Sequence, residues 1–451
     1  MDYCLPTSTP AIQTVSEVLP PRQALGLPRE DEAHDASNMQ QALRGLATAT
    51  AVPASRVSVL AGSLEYGVSA TLHAMVLALL DCVGRNHTLM SPKLTLWADR
   101  TACSQTDLSC FFASLPSVDD VHASHAPPGQ AAATKGMAIV GMSTVHWKKF
   151  TDALFGPGSA HAIRVESLGS SGSLESYSRS MRERLQHSKH RASAVCRRAG
   201  VPCPRVLPLH FVRRTPAEEA AVFDRLPSRW TRRGRFWVVS QALHFLTQPN
   251  AALQRQLNRA RANLGFHARQ PILALHVRKG DACSHRGECR GLAQFMPVVH
   301  RVASMYRIRT VFLATPSKEV RAETARYPEF EWLFRNDSNM QHTFKPGAGV
   351  VRIEDALLRG HIRPVDEWQS TMIDILLMSE SQVLVSALSS SAARLALSLM
   401  AARGGCLKPF TSVDINWCFA FLRGGPDVIR RGDAASAMKD SVFRHLEGLT
   451  C

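Results

Sequence analysis

The stretch Pro271-Ile-Leu-Ala-Leu-His-Val-Arg-Lys-Gly-Asp281 decides the fold. Its apolar first half predicts a buried β-strand, which stops abruptly at a cluster formed by His276, Arg278, Lys279 and Asp281. In open α/β sheets, ligands bind in the crevice beyond the carboxyl ends of parallel strands. The guanidinium of Arg278 is suited to a phosphate or carboxylate, because it donates two parallel hydrogen bonds. The alternative interpretation is a surface salt-bridge cluster with no ligand.

Two further segments repeat this pattern of a buried strand that leads into small residues. Ile308 to Ala314 is rich in β-formers and is followed by Thr315-Pro-Ser317. In Ser381-Gln-Val-Leu-Val-Ser-Ala-Leu-Ser-Ser-Ser-Ala-Ala-Arg394, an apolar run meets Ser389, Ser390 and Ser391 at the start of a predicted helix. These serines either cap the helix and do nothing more, or form an anion site together with its free N–H groups.

Asp374 is a carboxylate inside the predicted helix Asp366 to Ser379, among apolar neighbours. Such a group is costly to bury without a partner, so it either points to solvent or accepts from a specific donor. A guanine edge, with its adjacent N–H groups, is one such donor. Spacing alone favours the solvent-facing orientation.

Several motifs in the same order resemble the α-1,6-fucosyltransferases, the glycosyltransferase family 23 enzymes that include core and nodulation fucosyltransferases. The motifs are Phe236-Trp-Val-Val-Ser-Gln241, His276-Val-Arg-Lys-Gly-Asp281, Val311-Phe-Leu-Ala-Thr315, Tyr327-Pro328, Ile373-Asp-Ile375, Leu388-Ser-Ser-Ser-Ala-Ala-Arg394 and Phe410-Thr-Ser-Val-Asp414. Gly62-Ser-Leu-Glu-Tyr-Gly67 with Leu72-His73, and Leu89 to Trp97, extend the resemblance to most of the chain after about residue 57.

The resemblance implies a fold and an activity. The fold is α/β with two Rossmann-like domains, a GT-B-like glycosyltransferase whose C-terminal half binds the donor. The activity is an inverting, metal-independent transfer of fucose from GDP-fucose to a glycan or glycoprotein acceptor, through an α-1,6 linkage on N-glycans. No cofactor is expected, and the sequence has no metal-ligand spacing.

The resemblance also implies roles for the residues of the motifs. Arg278 is expected to hold the β-phosphate and stabilise the charge on departing GDP, with Lys279 beside it and Asp281 bracing the loop. His276 and Asp374 are expected to contact the guanosine end. The diphosphate is expected to lie along the three serines Ser389, Ser390 and Ser391.

Three departures from the family pattern affect the site. The acidic pair usual after the Leu-Ala-Thr strand is replaced by Pro316 and Ser317, and a glutamine that often follows the serine pair is Ser391. The expected general base falls on Arg286, which cannot accept a proton at neutral pH. Glu288, two residues further, is therefore the candidate base, or else a loop residue paired with an arginine. Without a base, the chain would be a non-catalytic relative that binds a GDP-sugar or a glycan.

Eleven cysteines include four close pairs, which fit an oxidising compartment such as the secretory pathway, and the resemblance implies the Golgi lumen. The pairs are Cys103 with Cys110, Cys196 with Cys203, Cys283 with Cys289, and Cys406 with Cys418. The alternative is that these cysteines are buried and free. The sequence shows neither a signal peptide nor a membrane anchor, and Leu72 to Gly84 is predicted to be a core helix.

Length and composition favour two domains. Residues 1–54 are predicted to be a flexible leader, 55–265 an N-terminal α/β domain on the acceptor side, and 266–451 the donor-binding domain ending in a helix. Ser170 to Ser178 is predicted to be a loop, and Asn250 to Leu264 a helix with Leu253 and Leu257 on one face. The net charge of +16 suits an anionic donor or acceptor. Nucleic-acid binding is disfavoured, since the arginine-rich runs lack interleaved aromatic residues.

Overall fold

The fold is described from a computed structural model. The described residues are 30–47, 51–61, 67–91, 103, 107–113, 115–116, 121–124, 137–140, 142, 144–155, 174–208, 216–279, 290–335, 357, 362–404 and 407–413. Short 3-10 turns occupy Ala54–Arg56, Leu108–Cys110 and Thr324–Arg326.

The described residues of the N-terminal half form seven helices and two small sheets. The helices are α1 (Glu30–Ala47), α2 (Val68–Arg85), α3 (Thr144–Phe155), α4 (Leu174–Ala199), α5 (Pro216–Phe223), α6 (Ser228–Thr231) and α7 (Arg235–Leu246). The strands are β1 (Ala51–Pro53), β2 (Val57–Ala61), β3 (Thr88–Met90), β4 (Val121–Ser124), β5 (Met137–Val140) and β6 (Arg205–Pro208). They form two parallel three-stranded sheets, ordered β1-β5-β4 and β3-β2-β6.

The C-terminal half has one parallel sheet of five strands. The strands are β7 (Ile272–His276), β8 (Thr310–Ala314), β9 (Glu331–Leu333), β10 (Val383–Ser386) and β11 (Phe410–Ser412). The helices are α8 (Ala251–Leu264), α9 (Leu292–Tyr306), α10 (Lys318–Glu323), α11 (Pro364–Glu380) and α12 (Ser391–Gly404).

The spatial order β11-β10-β7-β8-β9 is that of a Rossmann sheet. From β7 the chain moves to β8 and β9 on one side, and later returns to β10 and β11 on the other. The topological switch point therefore lies between β7 and β10. Every residue of β7, β8 and β10 is buried, as expected when helices cover both faces of a parallel sheet.

Alternation along β7 divides the core into two clusters. Ile272 and Ala274 pack in a large cluster that includes residues of α2, α7, α11 and α12. Leu273 and Leu275 face the opposite side and pack with α9. Since α2 and α7 belong to the N-terminal half, the two halves share the larger core.

Helix α8 forms where the sequence predicted a helix. The side chain of Asn250 caps its start by accepting from Leu253 N–H at 2.9 Å, and Gly265, with φ of 57°, ends it in the left-handed conformation. Leu253 and Leu257 are fully buried, which confirms the predicted apolar face.

Helix α2 is long and apolar enough to cross a membrane, the one such helix in the described part of the chain. Of its apolar window, 72% is buried inside the protein, where α2 packs against α7 and α12. The prediction of a core helix is confirmed.

Two predictions about loops were wrong. Residues 30–47 and 51–53 are not a flexible leader, because they form α1 and β1, and Met39 and Leu43 of α1 are completely buried. The predicted loop Ser170 to Ser178 becomes helical from Leu174, since α4 begins there.

Two of the predicted cysteine pairs are disulfides. Cys103 pairs with Cys110 and Cys196 with Cys203, with Cα–Cα distances of 5.4 Å in both. Cys82 is a buried free thiol. The remaining two predicted pairs include residues outside the described part of the chain.

Candidate functional site

Four small or polar residues align across the carboxyl edge of the C-terminal sheet. Ala314, His276, Ser386 and Ser412 occupy neighbouring register positions on β8, β7, β10 and β11. By strand alternation their side chains lie on the face of the large shared core. His276 and Ser386 thus flank the switch point, where ligands bind in sheets of this order.

His276 is a buried, neutral imidazole. Burial, with a smaller contribution from the Arg278 guanidinium, lowers the pKa of His276 to about 3. Neither the buried His276 Nδ1 nor the buried Ser386 Oγ has a hydrogen-bond partner within the described ranges. The switch point therefore presents two polar atoms able to receive a ligand group.

The cations predicted after β7 lie at the carboxyl edge of the sheet. Arg278 is exposed and Lys279 is half-buried. Glu319 is the second residue of α10. Its pKa is lowered mainly by a hydrogen bond of 2.6 Å from Ser317 Oγ, and the charge of Lys279 lowers it further. Glu319 is an exposed carboxylate beside this edge that the sequence analysis did not identify, although it lies just past the missing acidic pair.

The serine-rich turn, Leu388-Ser-Ser390, precedes α12 and is fixed by the buried side chain of Arg394. Its Nη1 donates to the carbonyl oxygens of Leu388 at 2.6 Å and Ser389 at 3.2 Å. The turn is tied to β11 by Leu388 N–H, which donates to Ser412 Oγ at 3.2 Å. Helix α12 begins at Ser391, so the serines do lie at a helix N-terminus, where the backbone favours an anion.

His73, a residue of the N-terminal half, lies close enough to Arg394 for the arginine charge to affect its pKa. It lies on α2, and its ring nitrogen Nδ1 is 2.7 Å from the Ser69 carbonyl oxygen. Burial first, and the nearby charge of Arg394 second, lower the pKa of His73 to about 3. The Leu72-His73 motif pointed to this residue but not to its electrostatic interaction with Arg394 of the C-terminal half.

Asp374 does not face solvent, so the orientation favoured by spacing was wrong. The residue is buried, and its Oδ1 accepts from Arg335 Nη1 at 3.0 Å. Arg335 also donates to the Ser370 carbonyl oxygen at 2.8 Å, which fixes it against α11. The carboxylate is thus a buried acceptor, as its proposed contact with a guanine requires, and it already has one donor.

A carboxylate of the protein, that of Glu323, binds the N-terminus of α9. Leu292 N–H donates to Glu323 Oε2 at 3.0 Å, so the positive dipole end of α9 is partly neutralised by the protein itself. An anionic ligand is therefore favoured at the α12 side of the switch point. The predicted residues Asp281 and Glu288 lie outside the described residues.

Comparison with known proteins agrees with the motifs. Residues 217–415 match the family model of the α-(1,6)-fucosyltransferase N- and catalytic domains. An α-(1,6)-fucosyltransferase of Drosophila melanogaster is 27% identical over 171 residues, which are 36% of this chain and 25% of the relative. The chain therefore spans about a quarter of the length of that curated relative.

Two solved structures align over most of the chain at low similarity. Fucosyltransferase NodZ from Bradyrhizobium aligns with 80% of this chain and 95% of its own, at 12% identity and a TM-score of 0.37. POFUT1 in complex with GDP-fucose aligns with 80% of this chain and 98% of its own, at 10% identity and a TM-score of 0.37.

The family model over residues 217–415 and the Drosophila melanogaster relative thus confirm the resemblance of the collinear motifs to the α-(1,6)-fucosyltransferases.

Proposed function

We propose that this protein transfers fucose from GDP-fucose to a hydroxyl of a glycan, through an α-1,6 linkage on N-glycans. The family match over residues 217–415 carries the proposal. The Rossmann strand order, with polar groups at the switch point, gives that match a physical site. The wider architecture we propose is GT-B-like, with the N-terminal half on the acceptor side.

In this proposal the guanosine end of the donor lies near His276 and Asp374. A neutral imidazole offers one donor and one acceptor, and the Asp374 carboxylate can accept from guanine N–H groups beside Arg335. A nucleobase without adjacent N–H donors would leave the buried Asp374 carboxylate with Arg335 but without a donor from the ligand. That difference favours guanine over adenine or uracil.

The diphosphate lies between Arg278 and the serine-rich turn. The N-terminus of α12 supplies a positive dipole end, and the exposed guanidinium of Arg278 reaches the phosphate that leaves. Lys279 adds a second positive charge at the same edge. Charge that builds on GDP in the transition state is thereby stabilised by cations of the protein, so the reaction proceeds without a metal ion.

The reaction is a single displacement that inverts the anomeric carbon. The acceptor hydroxyl oxygen forms a bond to C1 of fucose, the bond from C1 to the β-phosphate oxygen breaks, and GDP leaves with that electron pair. The proton of the hydroxyl passes to Glu288, the proposed general base, and Asp281 braces the loop. The two disulfides support a place in the secretory pathway, in the Golgi lumen.

Calorimetric titration with GDP, ADP and UDP in EDTA tests the donor site, and a transfer assay in EDTA tests the chemistry. We expect selective GDP binding and a fucosylated N-glycan whose linkage and anomeric configuration are read by NMR. Loss of activity in EDTA would contradict the proposed metal-independent mechanism. GDP binding without transfer or hydrolysis would identify a non-catalytic relative, and absence of GDP binding would overturn the proposal.

A further inference from the structure

A cavity lies at the end of the C-terminal sheet opposite to the switch point. It has a volume of about 410 Å³, and most of its lining residues are polar or charged, among them Arg261, His267, Gln270, Glu380, Arg403 and Lys408. Gln270 precedes β7, Glu380 precedes β10 and Lys408 precedes β11, so the cavity opens at the amino ends of these strands.

Two arginines in this cavity share one carboxylate, and a lysine lies beside them. Arg261 donates to both oxygens of Glu380, at 2.9 Å and 2.5 Å, and Arg403 Nη1 donates to Oε1 at 3.1 Å. Lys408 Nζ donates to the Ser381 carbonyl oxygen at 2.9 Å. The charges on these four side chains sum to +2, with the imidazole of His267 beside them.

The ends of α11 and α12 account for part of this arrangement. Cations stabilise the carbonyl ends of helices, and Lys408 and Arg403 lie at two such ends. Burial nevertheless lowers the pKa of both Arg403 and Lys408, and the attraction of Glu380 offsets this only in part. The cluster is therefore short of negative charge at a place where water is partly excluded.

The cavity also retains hydrogen-bond donors. Gln270 Oε1 accepts from Gln382 Nε2 at 2.9 Å, which leaves the amide N–H groups of Gln270 as donors. Arg403 has further guanidinium N–H groups beyond the one that contacts Glu380. A tetrahedral oxyanion can accept several such bonds and supplies the missing negative charge.

We propose that this cavity binds a phosphate or sulfate group, held by Arg403, Lys408 and Gln270. The site is separate from the switch point, and a ligand there would join α8, α11 and α12 and stabilise the C-terminal half. The volume leaves room for a small ester of the oxyanion as well as for the free ion.

The test measures the thermal midpoint of the full chain carrying Arg278→Ala, so that binding at the switch point is weakened. Phosphate, sulfate and glucose 6-phosphate are titrated separately against chloride at equal ionic strength. We expect the midpoint to rise with phosphate or sulfate and to saturate. A larger response to glucose 6-phosphate identifies an ester as the preferred form, and an equal or smaller one identifies the free ion.

Gln270→Glu is the decisive variant, because it keeps the shape and the acceptor oxygen while it adds a negative charge. We expect it to raise the midpoint without any ligand and to weaken phosphate binding by at least about tenfold, since like charges at this range repel strongly. Lys408→Met is expected to lose the phosphate response as well.

Arg225→Gln is the matched control, since Arg225 belongs to a different cluster, in which three arginines share one carboxylate, Asp81. Its response to phosphate should equal that of the parent. A midpoint insensitive to all three oxyanions, or a response that Gln270→Glu leaves unchanged, overturns the proposal. GDP binding is not part of the readout, so this result is independent of the donor site.

Discussion

Arg335 and Asp374 form an ion pair across 39 residues of sequence, with Nη1 and Oδ1 3.0 Å apart and side chains only 11% and 12% exposed. The pair joins the segment after β9 to the middle of α11. Because removing one partner leaves a buried charge uncompensated, the contact makes α11 sensitive to the state of this carboxylate.

Asp374→Asn should lower the free energy of unfolding by about 3 kcal/mol, as expected when one partner of a buried pair is removed. Urea unfolding measures this value. Arg335→Met in the same chain should recover part of the loss, because the uncompensated guanidinium is then absent. An unaltered free energy in Asp374→Asn would mean that the pair contributes nothing to stability.

The same substitution separates binding from chemistry. If the Asp374 carboxylate accepts from guanine, Asp374→Asn should weaken GDP binding more than it slows the chemical step. Calorimetry with GDP and single-turnover rates at saturating donor measure the two effects. Unchanged affinity for GDP would dismiss the contact.

Arg278→Ala should reduce transfer by at least about a hundredfold, because in the proposed reaction its charge stabilises the departing GDP. The fold should remain intact, since Arg278 is exposed. Arg309→Ala is a matched control, as Arg309 is an exposed arginine at the amino end of the same sheet. Wild-type activity in Arg278→Ala, or an equal loss in Arg309→Ala, would contradict the assigned role.

Stability should fall in mild acid because of His73 and His276. Their pKa values are about 3 in the folded protein against 6.5 ordinarily, so the unfolded chain binds the protons. The contribution of these two neutral imidazoles to the free energy of unfolding is fully present above pH 6.5. It is lost as the pH falls from 6.5 toward 3. Each histidine should contribute about 1 kcal/mol of loss between pH 6.5 and 5.5.

Urea unfolding at the two pH values checks this, with His73→Gln as the variant. The difference in unfolding free energy between the two pH values should be smaller in the variant by the contribution of one histidine. An identical difference would show that His73 takes up its proton in the folded protein.

The thiol of Cys82 should resist alkylation in the folded protein. It is buried, and burial raises its pKa to about 12, so the reactive thiolate is scarce. Mass spectrometry after iodoacetamide treatment without reductant should find Cys82 modified only once urea is added. The same peptide maps should contain the Cys103–Cys110 and Cys196–Cys203 links, and a labelled Cys82 in native buffer would refute its burial.

The parts of the fold that sequence predicted are those set by local pattern. The apolar run before Arg278 became β7, the serines began α12, and the spacing of Leu253 and Leu257 gave the buried face of α8. Each of these signals lies within one element, where periodicity and capping residues are directly visible.

Long-range partners could not be predicted in this way. Nothing near Asp374 in sequence indicated that Arg335 would reach it. Helix α1 was missed because it is polar overall, and only a narrow stripe with Met39 and Leu43 is buried. The prediction of a Rossmann-like N-terminal half is not confirmed, because its described strands form two three-stranded sheets. Sheet order depends on pairings between distant segments, which the sequence does not reveal.

The large shared core has a consequence for anyone who wishes to shorten this protein. Leu72 and Leu80 of α2 and Leu243 of α7 pack in the same cluster as α12, although α2 precedes the family-matched segment by well over a hundred residues. Expression of residues 217–451 alone would strip α2 from that cluster and expose its apolar contacts to water. The segment that carries the family resemblance is therefore smaller than the unit that folds.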